Sequence, residues 1–401
     1  MKEKMEMRFR KGCFLIGWTA AVISAFLLSA AQSHNSSQIQ GPKDNARLPF
    51  VLARAPKNVV LFIGDGLSLA AIDVARYKAL GKTGKLHMDR MPVAGFVRTC
   101  SADKLITDSA AAATALAAGL KTKNGMIGIT PDGEKCMTIL EACQKRGMST
   151  GLVVTSSITH ATPAAFASHV ATRKQHSEIA EQLLNHRVNV LLGGGTAYFR
   201  PKSTEFSKRL DERDLINEAR QAGYAFVETR EAMLQADRTL LLGLFALDYM
   251  KSEPPEPCLS DMTAKALSLL SSDPDGFFLM VEGSQIDWTA AKNDAFGIVR
   301  QMLDFDSAIG LALDFAVQND STLVVATSDH ETGGLALIGG KLDASKLDLA
   351  WGTRGHAGGS VPLYAYGPGA EALSGFLENT DIPRIIAKAL GIADFPAVFH
   401  P

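Results

Sequence analysis

The chain has 401 residues, of which 46% are hydrophobic and 21% are charged, and its formal net charge is -1. This composition is ordinary for a soluble globular protein. Acidic and basic residues are mixed along the sequence, so no extended basic surface is available for nucleic acid or for an anionic membrane. We therefore expect neither a nucleic-acid partner nor a polybasic membrane contact.

The N-terminus differs from the rest of the chain. Five basic residues between Lys2 and Lys11 precede an apolar run from Cys13 to Ala31, which ends in the small residues Ser29-Ala30-Ala31. This order of charge, apolar run and small residues is typical of a secretory signal peptide. We expect residues 1–31 to be removed on export to a periplasmic or extracellular location, and residues 32–56 to form a tether. The apolar run is also long enough to stay as an uncleaved membrane anchor.

Four cysteines remain in the predicted mature chain, Cys100, Cys136, Cys143 and Cys258. An even number of cysteines in an exported protein permits disulfides. Cys136 and Cys143 are expected on one helix, where seven residues span about 10 Å, too far for a bridge. The sequence therefore predicts mostly buried free thiols.

Apolar strand patterns alternate with amphipathic helix patterns from residue 57 onward. The predicted strands are Asn58–Ile63, Gly151–Thr155, Val188–Leu192, Phe277–Val281, Thr322–Thr327 and Val361–Tyr366. The predicted helices are Thr138–Arg146, Ser177–His186, Asp261–Leu270, Ile298–Val317 and Asp381–Leu390. Continuous apolar strands between helices indicate a buried, mostly parallel sheet. We predict one large three-layer α/β/α domain over residues 57–401.

Polar residues follow four of these strands directly. The candidates at the strand ends are Asp65, then His160 and Thr162, then Glu282 and Asp287, and last Asp329 and His330. Ligands bind at the carboxyl ends of strands in such sheets. Converging carboxylates repel one another unless cations lie between them. Asp and His ligands suit zinc, and all-oxygen ligands suit magnesium.

Ser109 precedes an alanine-rich stretch and follows Asp108, so it is expected in the first turn of a helix. A hydroxyl at that position is a candidate nucleophile towards phosphate, because helix N-termini favour anions. An N-capping serine is the alternative. Arg173 could clamp phosphate oxygens in a bidentate manner, and His356 lies on a glycine-rich loop before the last predicted strand.

Together, these motifs resemble those of the alkaline phosphatase family, from about Lys57 to Leu390. They are Gly64-Asp65-Gly66, Thr107-Asp108-Ser109-Ala110-Ala111, His160-Ala161-Thr162-Pro163, Val281-Glu282-Gly283 with Ile286-Asp287, and Thr327-Ser328-Asp329-His330. The resemblance implies hydrolysis of small phosphate monoesters, with Ser109 forming a phosphoserine and Arg173 clamping phosphate. It implies three metal sites, Zn²⁺ at Asp65, Asp329 and His330, Zn²⁺ at Asp287 and His356, and Mg²⁺ at Asp65, Thr162 and Glu282. His160 takes a supporting role, and a homodimer is compatible with the family.

One position departs from the family pattern. The family has a zinc-ligating histidine four residues after the aspartate that matches Asp287, and this chain has Ala291 there. The second zinc site is therefore expected to be weakened, because two protein ligands hold zinc less well than three. The neighbouring Lys292 either replaces the missing charge or points to solvent.

The alternative function is a degenerate relative that binds phosphate or traps the phosphoserine. Cleavage of diesters or sulfate esters is a third reading. It is disfavoured because the chain has no Cys-x-Pro-x-Arg motif and because Arg173 suits a monoester dianion.

Overall fold

The computed structural model describes residues 47–50 and 55–399. The predicted signal peptide and most of the predicted tether lie outside this part of the chain. Within it, no helix combines the length and the apolar character needed to cross a membrane.

Sixteen strands are present in the described residues. They are β1 (Asn58–Gly64), β2 (Val93–Arg98), β3 (Lys135–Cys136), β4 (Ser149–Ser157), β5 (Val190–Gly194), β6 (Ala225–Val227), β7 (Leu241–Leu244), β8 (Phe277–Gly283), β9 (Thr322–Thr327), β10 (Glu331–Thr332), β11 (Leu335–Gly340), β12 (Leu347–Trp351), β13 (His356–Ala357), β14 (Val361–Tyr366), β15 (Gly375–Glu378) and β16 (Val398–Phe399).

The same residues form eleven α-helices. They are α1 (Leu69–Leu80), α2 (Ser109–Ala118), α3 (Ile139–Lys145), α4 (Ala161–Ala167), α5 (His176–Asn185), α6 (Leu215–Gln221), α7 (Arg230–Gln235), α8 (Leu259–Leu270), α9 (Gln285–Ala291), α10 (Ala295–Asn319) and α11 (Asp381–Ala389).

Ten of the strands form one sheet in the order β15-β2-β14-β9-β1-β8-β4-β5-β7-β6. All pairings from β9 to β6 are parallel, while β14 runs antiparallel to both of its neighbours. The predicted α/β class with a mostly parallel central sheet is confirmed. The order places β9, β1, β8 and β4 side by side at the centre.

Helices cover both faces of the sheet. Successive side chains of a strand point to opposite faces, and β1 shows this directly. Val59 and Leu61 pack into one buried cluster with α2, α3, α4 and α11, whereas Val60 and Phe62 pack into a second with α1, α8 and α10. Because both faces of β1 are buried, its sequence is a continuous apolar run rather than an alternating one.

The prediction that Cys136 and Cys143 share a helix is wrong. Cys136 lies on the short strand β3, and α3 begins only at Ile139. Thr138 stops the helix from extending further back, because its side chain and that of Glu141 form a capping box. The predicted free thiols are nevertheless present, since Cys100, Cys136, Cys143 and Cys258 are all unbridged.

Candidate active site

The central strands deliver their polar residues to one edge of the sheet. Glu282 lies near the end of β8, Asp65 follows β1 directly, and Asp329 comes two residues after the end of β9. Ile63 of β1 pairs with Glu282 on one side and with Thr327 on the other, so these ends are level. Parallel pairing therefore brings together carboxylates that are more than two hundred residues apart in sequence.

Gly66 allows β1 to turn tightly against the opposite segment. Its φ of +74° lies in the left-handed region that favours glycine, and a Cβ there would come within 2.7 Å of the Cα of Asp287. The N–H of Gly66 donates to Oδ1 of Asp329 at 3.1 Å. The Gly64-Asp65-Gly66 turn thus serves both close packing and the orientation of a second carboxylate.

Ser109 is the first residue of α2, and Asp108 rather than Ser109 caps the helix. The Asp108 carboxylate accepts from the N–H of Ala111, which leaves the serine hydroxyl free for other contacts. Ser109 is buried, and its Oγ lies 3.2 Å from Nε2 of His330. The N-terminus of α2 therefore presents a hydroxyl directly to the cluster of strand-end residues.

Several buried oxygens in this cluster have no hydrogen-bond partner in the protein. They are both carboxylate oxygens of Asp65, Oε1 of Glu282, Oδ2 of Asp329 and Oγ1 of Thr162. Burial raises the pKa of Asp65 well above its ordinary value, and repulsion from Asp329 adds to this. Burial also raises the pKa of Glu282 to about 7 and that of Asp329 to about 6. Buried oxygens without partners are costly unless a cation binds them, so this donor set fits metal ions.

A chain of hydrogen bonds sets the tautomer of His330. The hydroxyl of Thr332 donates to Oδ1 of Asp287 at 2.5 Å, so its oxygen accepts from Nδ1–H of His330 at 3.2 Å. Burial lowers the pKa of His330 to about 3, so the ring is neutral and Nε2 carries no proton. This bare nitrogen lies 3.4 Å from Oδ1 of Asp65 and 3.2 Å from Oδ2 of Asp329. Asp65, Asp329 and His330 therefore direct three lone-pair donors at one point, as the ligands of an Asp-Asp-His metal site do.

His356 repeats this pattern on the neighbouring segment. Its strand β13 pairs with β10, which holds the imidazole stacked on that of His330 with 3.6 Å between ring centroids. Its Nδ1 lies 2.9 Å from the carbonyl oxygen of Thr107 and must donate there, which leaves Nε2 free at 3.6 Å from Oδ1 of Asp287. Asp287, His330 and His356 therefore form a second candidate metal group.

Arg173 and His160 flank the serine side of the site. The guanidinium donates to Oδ2 of Asp108 and to Nε2 of His160, each at 3.1 Å. Burial lowers the pKa of His160 to about 3, so this ring is neutral and its proton sits on Nδ1. His160 lies close enough to Asp65 and Glu282 to share an ion with them, but its Nε2 is occupied by Arg173 and its protonated Nδ1 cannot ligate a metal. His160 in this tautomer instead holds Arg173 in place.

Ala291 ends α9 and brings no ligand to Asp287, which lies in the first turn of the same helix. Lys292 is exposed, which favours the interpretation that it points to solvent. The imidazole next to Asp287 and His356 is that of His330, which also faces Asp65 and Asp329. The second metal group therefore has no histidine from α9 and shares one with the first group.

Sequence reasoning did not identify Thr332, Ser156 or Ser284 as functional residues. Ser156 and Ser284 both donate to Oε2 of Glu282, at 3.3 and 2.6 Å, and leave its other oxygen free. Thr332 was detectable in principle, since it follows His330 by two residues. The serines carry no sequence signal, because ordinary hydroxyls at strand ends are common.

A sequence model described as "Alkaline phosphatase" matches residues 56–346 and 341–392 of this chain. Alkaline phosphatase 3 of Bacillus subtilis is 36% identical over 83% of this chain and 89% of its own length. The structure of alkaline phosphatase from the Antarctic bacterium TAB5 superposes with a TM-score of 0.77 at 34% identity, covering 85% of this chain and 99% of that one. A variant of the TAB5 protein with magnesium bound has the same TM-score, identity and coverage.

Proposed function

The chain belongs to the alkaline phosphatase family, and we propose that it hydrolyses small phosphate monoesters through a phosphoserine formed on Ser109. The contact that carries the proposal is the one between Ser109 Oγ and His330 Nε2, at 3.2 Å. It places a helix-terminal hydroxyl beside an unprotonated nitrogen that faces the buried carboxylates of Asp65 and Asp329, in which both oxygens of Asp65 and Oδ2 of Asp329 lack hydrogen-bond partners. A hydroxyl in such surroundings is activated by a shared cation rather than by a protein base.

The metal ligands follow from the free electron pairs. Asp65, Asp329 and His330 would hold one Zn²⁺, and Asp287 with His356 would hold a second. Asp65, Thr162 and Glu282 offer only oxygens and would hold Mg²⁺, the ion present in the TAB5 variant. Bound metals supply positive charge to the attacking and leaving oxygens and lower the pKa of the serine hydroxyl.

The protein's own groups then act in a simple order. Arg173, held by Asp108 and His160, donates N–H groups to the phosphate oxygens. Ser109 Oγ loses its proton to solvent and forms a bond to phosphorus as the ester P–O bond breaks, and the departing alkoxide takes a proton. Water then cleaves the phosphoserine, so that inorganic phosphate leaves and the serine hydroxyl is restored. The helix N-terminus favours the anionic phosphate throughout.

Ala291 supports a second candidate, a slow relative in which the phosphoserine accumulates. The family resemblance assigns to the site of Asp287 and His356 the departure of the alcohol and the second half of the reaction. With no third ligand of its own, this metal group is expected to be occupied only at higher zinc concentration. Attack on Ser109-phosphate is then the step that becomes slow.

Intact-mass spectrometry with a p-nitrophenyl phosphate assay distinguishes the two candidates. With Zn²⁺ and Mg²⁺ present, we expect release of p-nitrophenol over many turnovers and a loss of roughly 10³-fold or more in Ser109→Ala. Ser374→Ala, an exposed serine elsewhere, is the matched control and should keep full activity. A single burst with a phosphate adduct retained on Ser109 would establish the trapping relative instead. No release and no adduct at millimolar zinc would refute both.

A further inference from the structure

A second cluster of potential metal ligands lies outside the active site. Glu141 comes from α3, His169 from the segment after α4, and His186 from the C-terminal end of α5. Their ligand atoms all lie within 4.8 Å of one another. None of these residues takes part in the phosphatase chemistry described above, so the cluster needs a separate explanation.

Two imidazoles converge on a single oxygen in this cluster. Oε1 of Glu141 lies 2.9 Å from Nε2 of His169 and 3.5 Å from Nδ1 of His186. The other oxygen, Oε2, accepts from the backbone N–H of Thr138 in the capping box. The helix cap is therefore independent of Oε1, which is left to face the two rings.

The tautomer of His169 follows from its second nitrogen. Nδ1 lies 2.6 Å from the carbonyl oxygen of Gly128, and because a carbonyl only accepts, Nδ1 must carry a proton. In the neutral ring Nε2 of His169 then carries no proton, and its lone pair faces Oε1 of Glu141. Two acceptors at 2.9 Å need a positive centre between them, either a proton or a metal ion.

The same hydrogen-bond pattern occurs at the active-site histidines. His330, His356 and His169 each direct Nδ1 at an oxygen, while Nε2 faces a carboxylate. Donation from the other ring nitrogen to a carbonyl is how ligating histidines are usually held. A proton on Nε2 of His169 would satisfy one contact, whereas a metal ion would satisfy all three ligand atoms at once.

We propose that Glu141, His169 and His186 bind a zinc ion at a site separate from the active site. Two imidazoles and a carboxylate are a common set of protein ligands at catalytic zinc sites. Tetrahedral bonds of about 2.0 Å place neighbouring ligand atoms ~3.3 Å apart, a value between the distances from Oε1 of Glu141 to the two imidazole nitrogens. A surface pocket of about 500 Å³ adjoins the three residues and gives an open side for a water ligand. The ion would join α3, the segment after α4 and the end of α5.

Nearby lysines limit the affinity but do not block the site. Lys135 and Lys145 line the same pocket, and their charges oppose a cation. The ammonium of Lys145 lies 4.9 Å from the centroid of the Phe399 ring, which lines the same pocket. Removing the charge of Lys135 should therefore leave zinc binding unchanged or make it tighter, whereas a pocket that binds an anion would lose affinity.

Zinc counting on His186→Ala tests the proposal. His186 is half-buried, and its backbone hydrogen bonds do not need the imidazole, so the variant should fold and keep its phosphatase activity. After removal of metals and dialysis against Zn²⁺, we expect wild type to bind one more equivalent per chain than His186→Ala. The variant's affinity at this site should fall at least about 10-fold. Zinc should also raise the Tm of wild type more than that of the variant.

Lys135→Ala is the matched control from the same pocket, and it should keep the extra zinc equivalent. Equal zinc counts in wild type and His186→Ala would overturn the proposal and leave a protonated Glu–His pair. Loss of the extra equivalent in Lys135→Ala would overturn it as well, because ligation by His186 could not then explain the difference. Phosphatase activity serves separately as the test of the proposed function.

Discussion

The hydroxyl of Thr332 lies 2.5 Å from Oδ1 of Asp287 and donates to it. The hydroxyl oxygen of Thr332 also accepts from Nδ1–H of His330. The side chain of Thr332 therefore connects the two candidate metal groups. Asp287 thereby sets the direction of the Thr332 hydroxyl, and Thr332 sets the tautomer of His330. The unprotonated Nε2 next to Ser109 depends on this connection.

Thr332→Val should lower phosphatase activity by about 10–100-fold, the usual effect of removing a group that orients a metal ligand. Valine keeps the shape of threonine but can neither accept from His330 nor donate to Asp287. Thr332→Ser keeps the hydroxyl and is the matched control, with activity near wild type. Phosphatase rates measured over a zinc titration check this. We expect the valine variant to reach its half-maximal rate at a higher zinc concentration than wild type. Equal zinc curves for the valine variant and wild type would contradict the role.

Ala291→His should raise both the zinc content and the turnover rate. Residues 287 and 291 share one face of α9, so the new imidazole can join Asp287 and His356. We expect about one more tightly held zinc equivalent and a rate at limiting zinc that is roughly 10-fold higher. Zinc analysis and p-nitrophenyl phosphate assays of the same preparations measure both quantities.

Lys292→Ala is the control for this experiment, because Lys292 is exposed and its loss should leave activity unchanged. A fall in activity on removing Lys292 would show instead that its ammonium contributes charge to the site. An Ala291→His variant with wild-type zinc content would show that the helix does not direct this position at Asp287.

Glu282→Gln should stabilise the metal-free protein in a pH-dependent way. Burial raises the pKa of Glu282 from 4.5 to about 7, so the folded chain holds its proton at pH values where the unfolded chain has released it. The contribution of Glu282 to stability therefore falls as the pH rises from about 4.5 to about 7. The amide cannot ionise, so the variant's advantage should grow over this window to about 3 kcal/mol and then stay constant.

Urea unfolding of chelator-treated proteins between pH 4.5 and 8 measures this difference. At saturating magnesium wild type should be more stable than Glu282→Gln, because only the carboxylate of Glu282 binds the ion and ion binding stabilises the folded state. A stability difference that does not vary with pH would mean that Glu282 ionises at its ordinary pKa in the fold.

The strand ends were predictable because two local patterns coincide there. A buried parallel strand needs a continuous apolar run such as Val59–Ile63, and the polar residues that follow mark where it leaves the core. Parallel pairing aligns those ends whatever the order of the strands. The sequence alone therefore predicts that Asp65, Glu282, Asp329 and His330 lie together.

Short elements were not predictable in the same way. Strands β6 and β7 have three and four residues, too few for a periodic pattern to appear. The helix that carries Cys143 begins after Cys136 because Thr138 and Glu141 form a capping box, and this Thr-x-x-Glu spacing is readable in the sequence. The wrong prediction for Cys136 concerned where the helix begins, which is set by a single side chain.

By itself, the sequence determined the fold class, the edge of the sheet that carries the chemistry, and the gap at Ala291, because each depends on residues close together along the chain. Only the tertiary structure decided the Thr332 connection, the tautomers of His330 and His356, and the meeting of Glu141, His169 and His186. These depend on angles and contacts of a few ångströms between segments as far as 249 residues apart. Such contacts are set by how whole layers pack, and no local pattern records them.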